Sequence, residues 1–209
     1  MTKKSKLVFF LAEFPYYRPM PWEHDRLKEY AANSVKHFST SIDGRTKEQK
    51  EHDAYVGALG EFAFVEMLKN QSREMINEWP LTDNNFSEEY DIKGKDGMTI
   101  DIKTTVESDK VTIPGECNFV VGFSQFNIKM SHNIKLCDSY VQMFVTKDYS
   151  DVYFIGAISQ QQIMKYMNND EPWPVRGRTW GLIRRENMDL TDKFRSYFTE
   201  DVNMTYRRE

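Results

Sequence analysis

The chain has 209 residues, of which 40% are hydrophobic and 14% aromatic, enough to bury a substantial core within about the length of one domain. We therefore expect a single α/β domain over residues 1–209, with an N-terminal helical extension over about 1–45 and a core over about 46–200. The net charge of −4 excludes a global attraction to a polyanion, so any nucleic-acid binding must use a local basic face.

The N-terminal extension is predicted to contain one helix. Residues 7–12 form either a strand or a helical turn, and the proline-punctuated segment 14–21 is expected to be irregular. A helix follows over about 22–38, because Pro21 suits a first turn and apolar side chains recur on one helical face.

A second helix is predicted from residue 46 to about residue 70. Thr46 and Gln49 have the spacing of a capping box at its start. The later part of this helix is apolar on most sides, which predicts burial, and Gly57 and Gly60 would let a neighbouring element approach closely.

From residue 88 onward the hydrophobic period changes to two, which is typical of strands. The candidate strands are 88–94, 98–106, 110–113, 117–123, 139–147 and 151–157. They are followed by a helix from its cap Ser159 to Asn168, a loop over 173–178, a short strand over 180–184 and a final helix over 189–198. This order predicts a central mixed β-sheet flanked by helices.

Residues 90–105 are two alternating runs joined by a turn, which indicates a hairpin. A three-residue loop Lys95-Asp96-Gly97, with Gly97 in the left-handed conformation, pairs Gly94 with Met98 and sets Asp91 opposite Asp101. In that register Asp91, Lys93, Asp101 and Lys103 share one face, while Tyr90, Ile92, Ile100 and Ile102 share the other.

Two carboxylates opposite each other repel and destabilise a hairpin unless a cation lies between them. The pairing of Asp91 with Asp101 therefore predicts a hard divalent metal bound by oxygen ligands. Glu61 supplies a third carboxylate, because its neighbours along the second helix are small and apolar and should pack against the sheet. Either Lys103 or a metal would offset the cost of burying it, and the two explanations are compatible.

The second helix carries an acidic residue, Asp91 lies on one predicted strand, and Asp101-x-Lys103 lies on the next. This arrangement resembles the PD-(D/E)xK nuclease superfamily. The resemblance covers about residues 55–105, although Tyr90 stands where the family name has proline. It implies a restriction-endonuclease-like fold and hydrolysis of DNA phosphodiester bonds. Mg²⁺, or Mn²⁺ as its substitute, would be held by Glu61, Asp91, Asp101 and the carbonyl of Ile102. Lys103 would orient the attacking water or stabilise the charged phosphorane.

Three alternatives remain open at the level of sequence. A triplet of acid, any residue and lysine also occurs at Glu48 and Asp91, so the triplet alone is weakly specific. The carboxylates and lysines could form a surface ladder of salt bridges, with Lys103 only a counter-ion to Asp101. The protein could also be a catalytically idle nuclease fold that acts as a nucleic-acid-binding or protein-interaction module.

The best candidate surface for DNA is a basic and aromatic cluster near the C-terminus. Its arginines are Arg176, Arg178, Arg184 and Arg185, close to Trp173 and Trp180. A solvated charged loop over a tryptophan-anchored core explains the same residues equally well.

Other signals are weak. The histidines His24, His37, His52 and His132 are scattered and are interpreted as surface or capping residues. Cys117 and Cys137 lie twenty positions apart without a CxxC motif and are expected to be reduced thiols. The apolar run at 7–12 is too short for a signal peptide, and no segment is long enough for a membrane span, so we expect a cytoplasmic protein. A homodimer is left open.

Overall fold

The computed structural model describes residues 14–37, 44–69, 90–93, 97–122, 136–168, 170, 172, 175–176, 180–183 and 188. The predicted element at 7–12 and the predicted final helix over 189–198 lie outside these residues.

Two long helices form where the sequence predicts them. Helix α1 spans Pro21–His37 and helix α2 spans Lys47–Lys69, each within one residue of the predicted bounds. The start of α2 is the predicted capping box: the Gln49 amide donates to Thr46 Oγ1 at 3.2 Å, and the Thr46 amide donates to Gln49 Oε1 at 2.8 Å.

A mixed five-stranded sheet lies at the centre, in the order β1-β6-β5-β3-β2. Its strands are β1 Tyr16–Tyr17, β2 Ile92–Lys93, β3 Thr99–Val106, β5 Ser139–Val145 and β6 Val152–Ser159. Strands β3 and β5 are parallel, and the other neighbours are antiparallel. The prediction of an α/β fold with a mixed sheet is confirmed. The segment 14–21, expected to be irregular, contains β1 because Tyr16 and Tyr17 pair with the edge of β6.

A second sheet of three strands has the order β4-β8-β7. Strand β4 is Phe119–Gly122, β7 is Val175–Arg176 and β8 is Trp180–Ile183. Two predictions are wrong here. The strand expected at 110–113 is a loop leading to a 3₁₀ helix at Pro114–Glu116, and the loop expected at 173–178 contains β7.

Helix α3, Gln160–Met167, confirms the element predicted after β6. Ser159 Oγ accepts a hydrogen bond from the Gln162 amide at 3.1 Å and so satisfies one of the unpaired donors at the helix start. Ile163 and Tyr166 of this helix are buried.

The five-stranded sheet has a hydrophobic cluster on each face. The first cluster joins α1 and α2 to one face through residues such as Leu59, Phe64 and Met143. The second joins the other face to the three-stranded sheet and α3 through residues such as Phe119 and Tyr140.

The contact between α2 and β3 depends on Gly60. A Cβ atom at this position would overlap the hydroxyl of Thr104 and lie 3.1 Å from its Cβ and Cγ2 atoms, so only glycine allows this helix so close to the strand. At Gly57 a Cβ would meet only Glu61 Oε1, at 3.9 Å. The predicted close approach is therefore confirmed for Gly60 and wrong for Gly57.

Candidate functional site

The predicted hairpin register is present in strands β2 and β3. Ile92 pairs with Ile100 and Lys93 pairs with Thr99. Gly97 has a φ of 82°, the left-handed conformation that the predicted turn requires. Ile92, Ile100 and Ile102 all join the first hydrophobic cluster, as the alternation predicts.

The regular pairing ends at a bend at Asp91. The Asp91 amide donates to the carbonyl of Ile100 at 3.0 Å, although in the register Ile100 faces Ile92. Tyr90 packs against the second cluster, not with Ile92 as predicted. The bend therefore corrects the simple alternation for Tyr90 and sets the backbone of Asp91 out of step with the ladder.

Because the backbone of Asp91 is out of step with the ladder, its side chain supplies the hydrogen-bond acceptor in place of a backbone carbonyl. Its Oδ2 accepts a hydrogen bond from the amide of Ile102 at 2.6 Å. Because the N–H and C=O of one strand residue point to the same side, the carbonyl of Ile102 also points to this edge of β3. The Asp91 carboxylate is thus anchored at the residue that lies between Asp101 and Lys103.

Asp101 and Lys103 form an ion pair, with 2.5 Å between Lys103 Nζ and Asp101 Oδ1. The Asp101 side chain is 11% exposed and the Lys103 side chain is 45% exposed, so the carboxylate is buried and the ammonium reaches solvent. Burial acts to lower the pKa of Lys103, but the charge and hydrogen bond of Asp101, together with the charge of Asp91, outweigh it and raise the pKa. Lys103 therefore stays cationic at neutral pH.

Glu61 lies one residue after the point at which α2 touches β3. Its side chain is half-buried, less than the sequence predicted. Together with burial, the charges of Glu61 and Asp91 raise the pKa of the Tyr30 phenol on α1. Tyr30 therefore stays a neutral hydrogen-bond donor beside two carboxylates, and Asp91 is the group near both Tyr30 and Lys103.

The structure thus brings together Asp91, Asp101 and Lys103 around Ile102, while the charges of Glu61 and Asp91 both act on Tyr30. Within the described part of the chain, no group of three or more His, Cys, Asp or Glu side chains is arranged to hold a metal ion. The chemistry of the oxygen donors around Asp91, Asp101 and the Ile102 carbonyl still suits a hard cation.

Gln142 on the neighbouring strand β5 holds the backbone of Lys103. It pairs in register with Lys103, and its side chain is buried. Its Nε2 donates to the Lys103 carbonyl and to Thr105 Oγ1, both at 3.1 Å, and to the Met143 carbonyl at 2.7 Å. The register shift between β5 and β6 occurs at this position. Gln142 therefore holds the backbone of β3 beside the point where the β5–β6 ladder is irregular.

Sequence reasoning missed Tyr30 and Gln142 as members of the site. Tyr30 is an ordinary apolar-face position of an amphipathic helix, and Gln142 interrupts an apolar strand. A buried amide in a strand is costly unless it is hydrogen-bonded, so the isolated Gln142 was the available signal.

The predicted DNA-contacting arginines are mostly outside the described residues. Arg176 lies on β7 and pairs with Gly181 of β8. Arg178, Arg184 and Arg185 fall outside the described part. Cys117 and Cys137 are buried and do not form a disulfide, as expected. Burial raises the pKa of Cys117 to about 12, although a hydrogen bond with Thr105 acts to lower it.

No protein-family model matches this chain, and a search of curated proteins found no match. Among the described helices, none combines the length and the apolar character that a membrane crossing requires.

Proposed function

We propose that this protein is a Mg²⁺-dependent nuclease that hydrolyses phosphodiester bonds in DNA. The proposal includes the restriction-endonuclease-like form of the α/β fold and membership of the PD-(D/E)xK superfamily. It also includes a cytoplasmic location.

The observation that carries the proposal is the anchoring of Asp91 at the residue between Asp101 and Lys103. A carboxylate from one strand meets the amide of Ile102 at 2.6 Å, with an acid before that residue and a cation after it. A ladder of surface salt bridges would not require Asp101 to be buried or Asp91 to leave its strand register. Burying charge is costly, so such an arrangement is maintained when it performs a task.

The donor set suits Mg²⁺ in its usual mode of binding. Mg²⁺ commonly uses one or two carboxylates and completes its coordination with water and substrate phosphate, so a cage of three protein carboxylates is not needed. Asp91, Asp101 and the carbonyl of Ile102 would hold the ion, with Glu61 close to Asp91. When bound, a divalent cation lowers the pKa of water and neutralises charge on a phosphate.

The chain's own residues would then orient the reactants. The Lys103 ammonium, partly exposed and cationic, would contact a phosphate oxygen and stabilise the charge that grows there as water attacks phosphorus. The Tyr30 phenol would orient Glu61 or Asp91 by donating a hydrogen bond. Gln142 would hold the Lys103 backbone in place.

DNA binding would need a basic surface, because the net charge is −4. Arg176, Arg178, Arg184 and Arg185 remain the proposed contacts with the DNA backbone. A homodimer is compatible with the proposal but not required by it.

The proposal is tested by incubating the purified protein with linear and circular DNA in Mg²⁺, Mn²⁺ or EDTA. We expect cleavage with either ion and none with EDTA. Asp101→Asn removes a ligand charge at nearly constant volume and should abolish cleavage while circular dichroism remains that of the wild type. Asp53→Asn is a matched control, because Asp53 is an exposed acid of α2 paired with Arg45.

A second candidate is an idle nuclease-like scaffold that binds nucleic acid or another protein. The observation in its favour is the direct ion pair between Lys103 and Asp101, which compensates the buried acid without a metal. DNA binding that is equal in Mg²⁺ and EDTA, with no cleavage in either, would select this candidate over the nuclease.

A further inference from the structure

A cleft of about 650 Å³ lies at the other end of the sheet from Asp101. Asp101 pairs with Tyr140 near the start of β5, whereas the cleft is bordered by the turn that follows Val145 at the end of β5. The N-terminal halves of α1 and α2 form its other walls. Its lining includes His24, Asp25, Lys28, Tyr55, Asp148 and Tyr149.

The walls of the cleft carry two hydrogen-bonded pairs of tyrosine and histidine. His24 Nδ1 is 2.7 Å from the Tyr55 hydroxyl, and His52 Nε2 is 3.3 Å from the Tyr149 hydroxyl. The rings of Tyr55 and Tyr149 are 5.6 Å apart at 59°. Three elements that are distant in sequence thus meet through aromatic rings.

Tyr149 is held in a conformation that costs energy. Its φ is 62°, which is uncommon for a residue with a large side chain. The turn is fixed by the Tyr149 amide donating to the Thr146 carbonyl at 2.9 Å and by the Ser150 amide donating to Asp148 Oδ1 at 3.1 Å. Backbone strain of this kind is found at binding sites, where the surrounding structure maintains it to aim a side chain.

The charge of the cleft is negative. Asp25, Glu51 and Asp148 contribute three carboxylates and Lys28 contributes one ammonium, while Lys47 lies 3.5 Å from Glu51 and compensates it, so one negative charge remains. Hydrogen bonds from Thr146 and Ser150 lower the pKa of Asp148, and burial with the charge of Lys28 lowers the pKa of His24. At neutral pH, therefore, Asp148 is ionised and His24 is neutral.

The ammonium group of Lys28 already lies near one of the aromatic rings of the cleft. Lys28 Nζ is 6.0 Å from the centroid of the Tyr55 ring, within the range of a cation–π contact. The exposed carboxylate of Asp25 makes no hydrogen bond or ion pair with the residues that the structure describes, so it is open to a second cation.

We infer that this cleft binds an organic cation with an ammonium or guanidinium group, which lies against the aromatic surface formed by Tyr55 and Tyr149 and beside the carboxylate of Asp25. An anion is disfavoured by the net negative charge of the cleft. The cation is either a free polyamine or a basic side chain of a partner protein, and the inference is independent of the nuclease proposal.

The inference is tested by calorimetric titration of the protein with spermidine and, separately, with an acetylated and amidated Gly-Arg-Gly peptide. Adenosine monophosphate is the anionic control. Asp25→Asn should weaken cation binding about fivefold, since one near charge is lost at a partly exposed site. Lys28→Met keeps the aliphatic stem but removes the internal cation, and it should tighten binding by a similar factor. Asp53→Asn, with the same change in net charge outside the cleft, should leave binding unchanged.

Each outcome decides the inference. Tighter binding of spermidine identifies a free amine as the ligand, and tighter binding of the peptide identifies a side chain. Absence of binding by both cations, a stronger interaction with the monophosphate, or equal weakening by Asp25→Asn and Asp53→Asn would overturn it.

Discussion

Lys103 is a residue on which burial and neighbouring charge act in opposite directions, and the charge prevails. If it stabilises charge on the phosphate, Lys103→Ala should lower the cleavage rate by about a hundredfold or more. Metal affinity should be kept or improved, because a positive charge beside Asp91 and Asp101 is removed. Single-turnover cleavage and Mn²⁺ calorimetry measure the two effects separately.

A control distinguishes Lys103 as a stabiliser of charge from Lys103 as a counter-ion. Lys103→Arg keeps the charge and should retain more activity than Lys103→Ala. Undiminished turnover in Lys103→Ala would reduce Lys103 to the counter-ion of Asp101.

His24 makes folding stability depend on pH. Burial, followed by the charge of Lys28, lowers its pKa below 6.5, although Glu23 and Asp25 act against this. Between the lowered pKa and 6.5 the unfolded chain binds more protons, so stability rises with pH across this window and falls as the solution is acidified.

Thermal melts between pH 5 and pH 8, about the range in which histidine titrates, check this prediction. In His24→Gln the part of the pH dependence below about 6.5 should become smaller. Parallel pH curves for the wild type and the variant would contradict it.

At single residues, sequence reasoning succeeded where alternation decides the outcome. The burial of Ile92, Ile100 and Ile102 on one face was predicted from the alternation of side chains along a strand. The bend at Asp91 could not be predicted in this way, because it depends on a side chain that replaces a backbone acceptor for Ile102. His24 and His52 line the same cleft only because two helices and the turn after β5 pack together, so the spacing of the two histidines in the sequence carried no signal.

At the scale of elements, the close packing of α2 on β3 gives a matched pair of substitutions. Gly60→Ala should destabilise the protein by about 1–3 kcal/mol, because the new methyl group overlaps the β-branched side chain of Thr104. Gly57→Ala lies one helical turn earlier, meets only Glu61 Oε1 at 3.9 Å, and should stabilise by up to about 1 kcal/mol through helix propensity.

Urea unfolding of both glycine variants measures this difference directly. Equal stability changes in Gly57→Ala and Gly60→Ala would show that the helix does not press on Thr104. Thr104→Ala in the Gly60→Ala background should restore part of the loss, since it removes the overlapped hydroxyl and the neighbouring methyl group.

Element prediction succeeded for long segments with local signals and failed for short ones. The capping box at Thr46 and the cap at Ser159 define helix starts within the sequence itself. Strands β1 and β7 have two residues each and exist because β6 and β8 offer pairing partners. No local pattern encodes such strands. The segment 110–113 has alternation but no pairing strand among the residues that the structure describes.

For the whole molecule, the metal proposal predicts a change in thermal stability before any substrate is known. A cation at about 100 times its Kd stabilises the folded state by about 2.7 kcal/mol, which raises the Tm of a domain of this size by about 5–10 °C. Melts with and without millimolar Mg²⁺ or Mn²⁺ measure this increase.

Asp91→Asn is the specific control, because it should remove most of the increase while retaining a similar side-chain volume. A wild-type Tm that does not respond to either ion would count against the metal site and favour the idle scaffold.

The arrangement of β5 between β6 and β3 has a consequence for the order of folding. All seven residues of β5 are buried, and its antiparallel partner β6 follows after a short turn. Its parallel partner β3 is separated from it by the long connection between Val106 and Ser139, whose closure costs entropy before any contact forms. We expect the β5–β6 hairpin to form early and β3 to dock late, so Asp101 becomes buried only near the end of folding.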